Sequence, residues 1–129
     1  MGIRSSVPTP SLLDSINDDS KQFLGLCDMI KDIHLRKAHD YGTDGDALGN
    51  FQSSERLGVQ PHMGVFIRMQ DKMSRLESYC KKGALMNESI EDNLIDLAAY
   101  SLLAVVVLRR EASKMKLAAE NSAQVRRGS

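Results

Sequence analysis

Apolar residues return every three to four positions in three long stretches of this chain, with turn-forming and charged residues between them. The first stretch holds Phe23, Leu24, Leu26, Cys27, Ile30, Ile33 and Leu35 on one broad face, which is helical periodicity. Asp18, Asp19 and Ser20 offer capping oxygens just before it, so a helix is predicted over about 20–39. The second stretch opens at Pro61, a good first helical residue. It runs through Val65, Phe66, Ile67, Met69, Met73, Leu76 and Cys80 to a glycine stop at Gly83, which predicts a helix over 61–82. The third, with Asn87 as its cap, places Ile90, Leu94, Leu97, Ala98, Leu102, Val105 and Leu108 on one apolar face. It predicts a helix over about 88–119.

The fold class is therefore all-α, with three main helices in one small bundle over residues 20–119. Residues 1–19, with Pro8 and Pro10, read as a flexible arm in which 11–17 offers a short helical turn. Residues 120–129 read as a frayed basic tail. Three helices with wide apolar faces bury those faces better against a second copy, so a homodimer or higher homo-oligomer is expected. The connection from 40 to about 60 is longer than a compact bundle needs, and loops of that length are often functional. Its Asp40–Asn50 segment somewhat resembles a calcium loop. However, Gly42 stands at the third ligand position and Phe51 where the bidentate Glu belongs. Phe51 and Leu57 are expected to pin the loop to the bundle.

Composition narrows the function classes. Lys plus Arg and Asp plus Glu are each 17, so the net charge is zero, and bulk charge gives no argument for long nucleic acids or membranes as partners. Seven Met and no Trp suit an adaptable helical core. Cys27 and Cys80 fall at inward-looking positions and read as buried thiols. His34 reads as a boundary or hydrogen-bonded core residue. Gly2 to Ser15 contains no apolar signal region, and the run from Leu94 to Leu108 is shorter than a membrane span and carries Asp96. A soluble, cytoplasmic protein is expected.

The chemistry concentrates in the charges of the last two helices. Glu88, Asp92 and Asp96 recur every four residues, so they stack along one helical stripe. Like charges at that spacing repel by roughly 0.2–0.5 kcal/mol per pair. The positive end of the helix dipole accounts for Glu88, Glu91 and Asp92. It accounts poorly for Asp96, over two turns in, whose carboxylate is either on the wet side or paired with a cation: a metal or a basic side chain from another helix. The 61–82 helix offers Arg68, Lys72 and Arg75, with Asp71 among them. That pattern fits either a solvated face with one Asp71–Arg75 pair or an anion site.

Four segments together resemble a known family: HDYG at 39–42, Asn50-Phe51, FIRMQDKMSRL at 66–76 and ESIEDNLIDLAAYSLL at 88–103. They are similar to the type-1 nucleotide-modification-associated domain, a small all-helical family found largely in phages. The resemblance spans about 20–110. That family in turn resembles the all-α MazG-like nucleoside-triphosphate pyrophosphatases, which hold Mg²⁺ against a nucleotide's phosphates with acids on facing helices. Their Glu-x-x-Asp motif maps here onto Asp92 and Asp96 at spacing four, with Asn93 at spacing three from Asp96. Their Glu-x-x-Glu motif is absent, and Asp71 and Glu77 are the only acids of the 61–82 helix.

The resemblance implies a protein that handles a (deoxy)nucleotide, in two readings, and the residues by themselves leave a third. In the first, an enzyme acts as a Mg²⁺-dependent hydrolase or modifier. Asp92 and Asp96 are catalytic and Asp71, Glu88, Asp92 and Asp96 ligate the metal through oxygen. Arg68, Lys72 and Arg75 neutralise phosphate, while Asp40 and Tyr41 stand at the pocket mouth under a lid formed by 40–60. In the second, the same cations and Tyr41 sequester a nucleotide, for instance a host immune signalling nucleotide, without turnover. In the third, the acidic stripe serves a helical interaction protein by matching a basic helix.

Overall fold

The computed structural model describes residues 10–41, 56–85 and 88–128. The fold is all-α. Helix α1 is Pro10–Ser15, α2 Asp18–Tyr41, α3 Pro61–Lys82 and α4 Ile90–Arg127.

Local sequence explains most boundaries. The Asn17 side chain accepts from the Ser20 backbone N–H at 2.9 Å, so Asn17 caps α2 and the three candidates after it fall inside the first turn. Pro61 opens α3 and Gly83 closes it at φ 75°, donating to the Tyr79 carbonyl at 2.7 Å. That left-handed position is open to glycine without a Cβ penalty. The cap of α4 is Ser89, whose hydroxyl accepts from the Asp92 N–H at 3.3 Å. The expected cap, Asn87, lies outside the described residues, and Glu88 precedes the helix instead of joining its stripe. At its far end α4 does not fray near 119. It stays helical to Arg127, where Gly128 donates to the Gln124 carbonyl at 3.0 Å.

Helices α3 and α4 form an antiparallel pair: Arg75 meets residues at the start of α4, and His62 meets Glu111, well along it. Their shared core is Val65 from α3 with Ala104 and Val107 from α4, flanked by Met69, Tyr100 and Leu103. Helix α2 touches α4 along a much shorter seam.

This core corrects the expected one. The buried side of α4 carries Asn93, Ala104 and Val107, each one residue before Leu94, Val105 and Leu108 of the predicted face. One residue is a rotation of about 100°. Leu94, Leu102, Val105 and Leu108 are instead exposed, between 43% and 60%. Apolar residues line both sides of α4, so periodicity alone did not separate them. Phe66, Ile67 and Met73 of α3 are exposed as well. So are Cys27 and Cys80, expected as buried thiols; Cys27 borders the open space between α2 and α4 instead of packing in it. His34 is exposed on α2. Leu57 pins nothing, being 85% exposed, while Phe51 and most of the 40–60 loop lie outside the described residues. Among the described residues no helix is long and apolar enough to cross a membrane.

Candidate functional site

Five of the charged residues singled out in sequence, Asp71, Lys72, Arg75, Glu88 and Asp96, meet at the α3–α4 seam. Lys72 Nζ lies 3.2 Å from Asp96 Oδ2. Arg75, one turn further along α3, is a hub. Its guanidinium pairs with Glu88, lies 3.2 Å from Asp71 Oδ2, and donates to Asn93 Oδ1 at 3.4 Å. The planar fork of arginine lets one side chain serve several acceptors in this way. Of the two situations open to Asp96, solvation or a cation, it has both in part: a cation from α3 and a carboxylate that solvent still reaches. The Lys72 side chain is 14% exposed against 41% for Asp96. The cation is thus the enclosed partner and the carboxylate the accessible one.

Asn93 is the residue that sequence reasoning passed over. It is 1% exposed, and both ends of its amide are used. Nδ2 donates to the Ser89 carbonyl at 3.0 Å, and Oδ1 accepts from Arg75. A buried amide satisfied on both sides fixes Arg75 against the first turn of α4. Its signal in the sequence was an uncharged polar residue where the acidic motif would have an acid.

The remaining candidates are less gathered. Arg68 is exposed on α3, one turn before Lys72, and Asp92 is exposed in the first turn of α4. The side chains of Asp40 and Tyr41 lie outside the described ones, so the expected pocket mouth does too. Among the described residues no three His, Cys, Asp or Glu side chains converge as a metal-ligand set. The carboxylates of Asp71, Glu88 and Asp96 are instead turned to Arg75 and Lys72.

Two cavities flank the seam. One, about 340 Å³, lies between α2 and α4 and is walled by apolar residues such as Ile30, Ala99 and Val106, with Lys31, His34, Lys37, Tyr100 and Asp96 as its polar lining. Asp96 belongs to both the ion-pair seam and this cavity. The other, about 550 Å³, sits at the start of α3 beside Gly58, Pro61, Lys114 and Met115. There Glu111 grips His62 twice, accepting from the backbone N–H at 3.1 Å and meeting Nδ1 at 2.7 Å. Gln60 makes no side-chain cap bond for α3, so this carboxylate from α4 supplies the missing acceptor and its charge faces the positive end of the helix dipole. Comparison with family models, curated proteins and solved structures yields no match.

Proposed function

We propose that this protein binds a (deoxy)nucleotide, its phosphate at the α3–α4 seam and its base in the adjoining α2–α4 cavity. The observation that carries the reading is the double membership of Asp96, which pairs with Lys72 and also lines that cavity. A phosphate brings several acceptor oxygens where a carboxylate brings two. It competes for Lys72 and for the fork of Arg75, and the accessible carboxylates of Asp96 and Glu88 swing out to solvent as it enters. Until then they hold both cations extended and in place, which lowers the ordering cost of binding. Exposed Arg68 lies within one helical turn to share the charge. Tyr100, at the edge of the cavity, offers a ring for the base to stack against.

As arranged, Asp71, Glu88 and Asp96 are engaged by cations, so the reading is one of binding. Mg²⁺-dependent hydrolysis through Asp92 and Asp96 is its more demanding form, decided by a turnover assay with and without EDTA. The binding itself is tested by a thermal-shift screen of canonical, modified and cyclic nucleotides. A specific ligand at a hundred times its Kd adds about 2.7 kcal/mol of stability. A flat response across the screen contradicts the reading.

A second reading has its own observation: the seam's charges satisfy one another within the chain. On that reading the acid–base match is packing specificity between α3 and α4, and the protein works through its exposed apolar faces as a helical interaction module. It expects no nucleotide to shift the melting temperature.

A further inference from the structure

Helix α4 carries two heptad-spaced stripes side by side. The inner one, on which Asn93, Ala104 and Val107 lie, is buried. The outer one starts at Leu94 and runs to Ala119 in alternating steps of four and three, which is the a/d spacing of a coiled-coil seam. Every position on it is exposed and none carries a charge. It continues for nearly four heptads, the length at which such a pattern is read as a coiled-coil seam, and extends about 37 Å. Helix α3 does not reach its far end: α3 begins beside Glu111, and α4 runs on to Arg127.

We propose that this outer stripe seats a second copy of the chain, whose own α4 lies antiparallel across a two-fold axis between Val106 and Val107. The side-chain sizes carry the choice of occupant and of direction. In that register Leu94 faces Ala119, Ala98 faces Met115, Ser101 faces Ala112 and Val105 faces Leu108. Leu94 and Met115 each meet an alanine, Ser101 meets Ala112, and at the centre Val105 meets Leu108, so no alanine faces its own kind. A two-fold axis demands such self-complementarity of a single surface. A parallel pairing sets Ala98, Ala112 and Ala119 each against itself, which leaves three layers underfilled. Exposed Leu102, at 60%, widens the seam on one side, where the stems of Arg109 and Lys116 flank the same edge. The stripe lies apart from Lys72 and Arg75, so the pairing is independent of what the seam binds.

Sedimentation equilibrium of the full chain at micromolar concentration is the test. The mass of two chains is expected. Ser101→Glu and Leu108→Glu each put a charge on the stripe and are expected to give the mass of one chain with helical circular dichroism retained. Direction is read by oxidative cross-linking in a Cys27→Ser, Cys80→Ser background. Ala98→Cys with Met115→Cys is expected to give a covalent dimer, and either cysteine alone is expected to give none. A one-chain mass at every concentration overturns the proposal and points to another segment or a different partner on the stripe. A dimer indifferent to both glutamates, or a cross-link from one introduced thiol alone, also overturns it. Should Leu108→Glu lose its helicity, Ser101→Glu, at an exposed serine, decides between dimer and monomer by itself.

Discussion

Lys72 of α3 and Asp96 of α4 meet at 3.2 Å, with the cation enclosed and the carboxylate open to solvent. This unequal burial sets what each partner can do. The lysine is held by the packing of its long stem, whereas the aspartate can rotate into water.

That asymmetry predicts unequal costs of mutation. Asp96→Asn leaves an enclosed ammonium with a weaker acceptor and should destabilise the fold by about 1 kcal/mol, near the top of the range for partly exposed pairs. Lys72→Met keeps the packed stem and strands only an accessible carboxylate, so its cost should be smaller. Urea unfolding of both variants at low and high salt checks this. The difference between Asp96→Asn and the parent should shrink as salt screens the pair.

Asn93 is expected to matter more for stability than any charged member of the site. Asn93→Ala removes the donor to the Ser89 carbonyl and an acceptor for Arg75 at a position 1% exposed. A loss of about 1–3 kcal/mol follows from leaving buried polar groups unpaired. Chemical denaturation reads it directly. A loss within experimental error of zero would show that water replaces the amide.

Glu111 acts as a cap supplied from another helix. Glu111→Ala should cost about 1–2 kcal/mol, the range for removing an N-cap. Glu111→Gln, which keeps an acceptor and gives up the charge, should recover part of it. Amide hydrogen exchange should show the loss concentrated at His62 and its neighbours at the start of α3.

The local devices of this fold were legible in the sequence, and the long-range ones were not. Pro61 and Gly83 act through their own backbones, and α3 has the predicted bounds, Pro61–Lys82. The Asp71–Arg75 pair is one helical turn apart in sequence and was readable for that reason. That Asp96 is either solvated or paired with a cation was readable from its depth in the helix, and Lys72 and Arg75 were readable as cations on offer. The inward face of α4 was missed by one residue because Leu94 and Val105 are as apolar as their inner neighbours. Only α3, packing against Ala104 and Val107, breaks that tie. The His62–Glu111 contact joins residues 49 apart, and no local pattern announces such a contact.

Gly83→Ala tests the simplest of these devices. The left-handed φ of 75° penalises any side chain by roughly 1 kcal/mol. No neighbouring atom lies within 4 Å of the added Cβ, so the backbone term alone should appear in the unfolding free energy.

The most direct test of the account is calorimetric titration of deoxynucleoside mono- and triphosphates into the protein, in EDTA and again in Mg²⁺. Saturable binding of one nucleotide per chain is predicted. It should weaken at least about tenfold, or about 1.4 kcal/mol, in Lys72→Ala and in Arg75→Ala, and stay unchanged in Lys116→Ala on the exposed side of α4. Absence of binding in either buffer, or binding that survives the loss of both α3 cations, would contradict it.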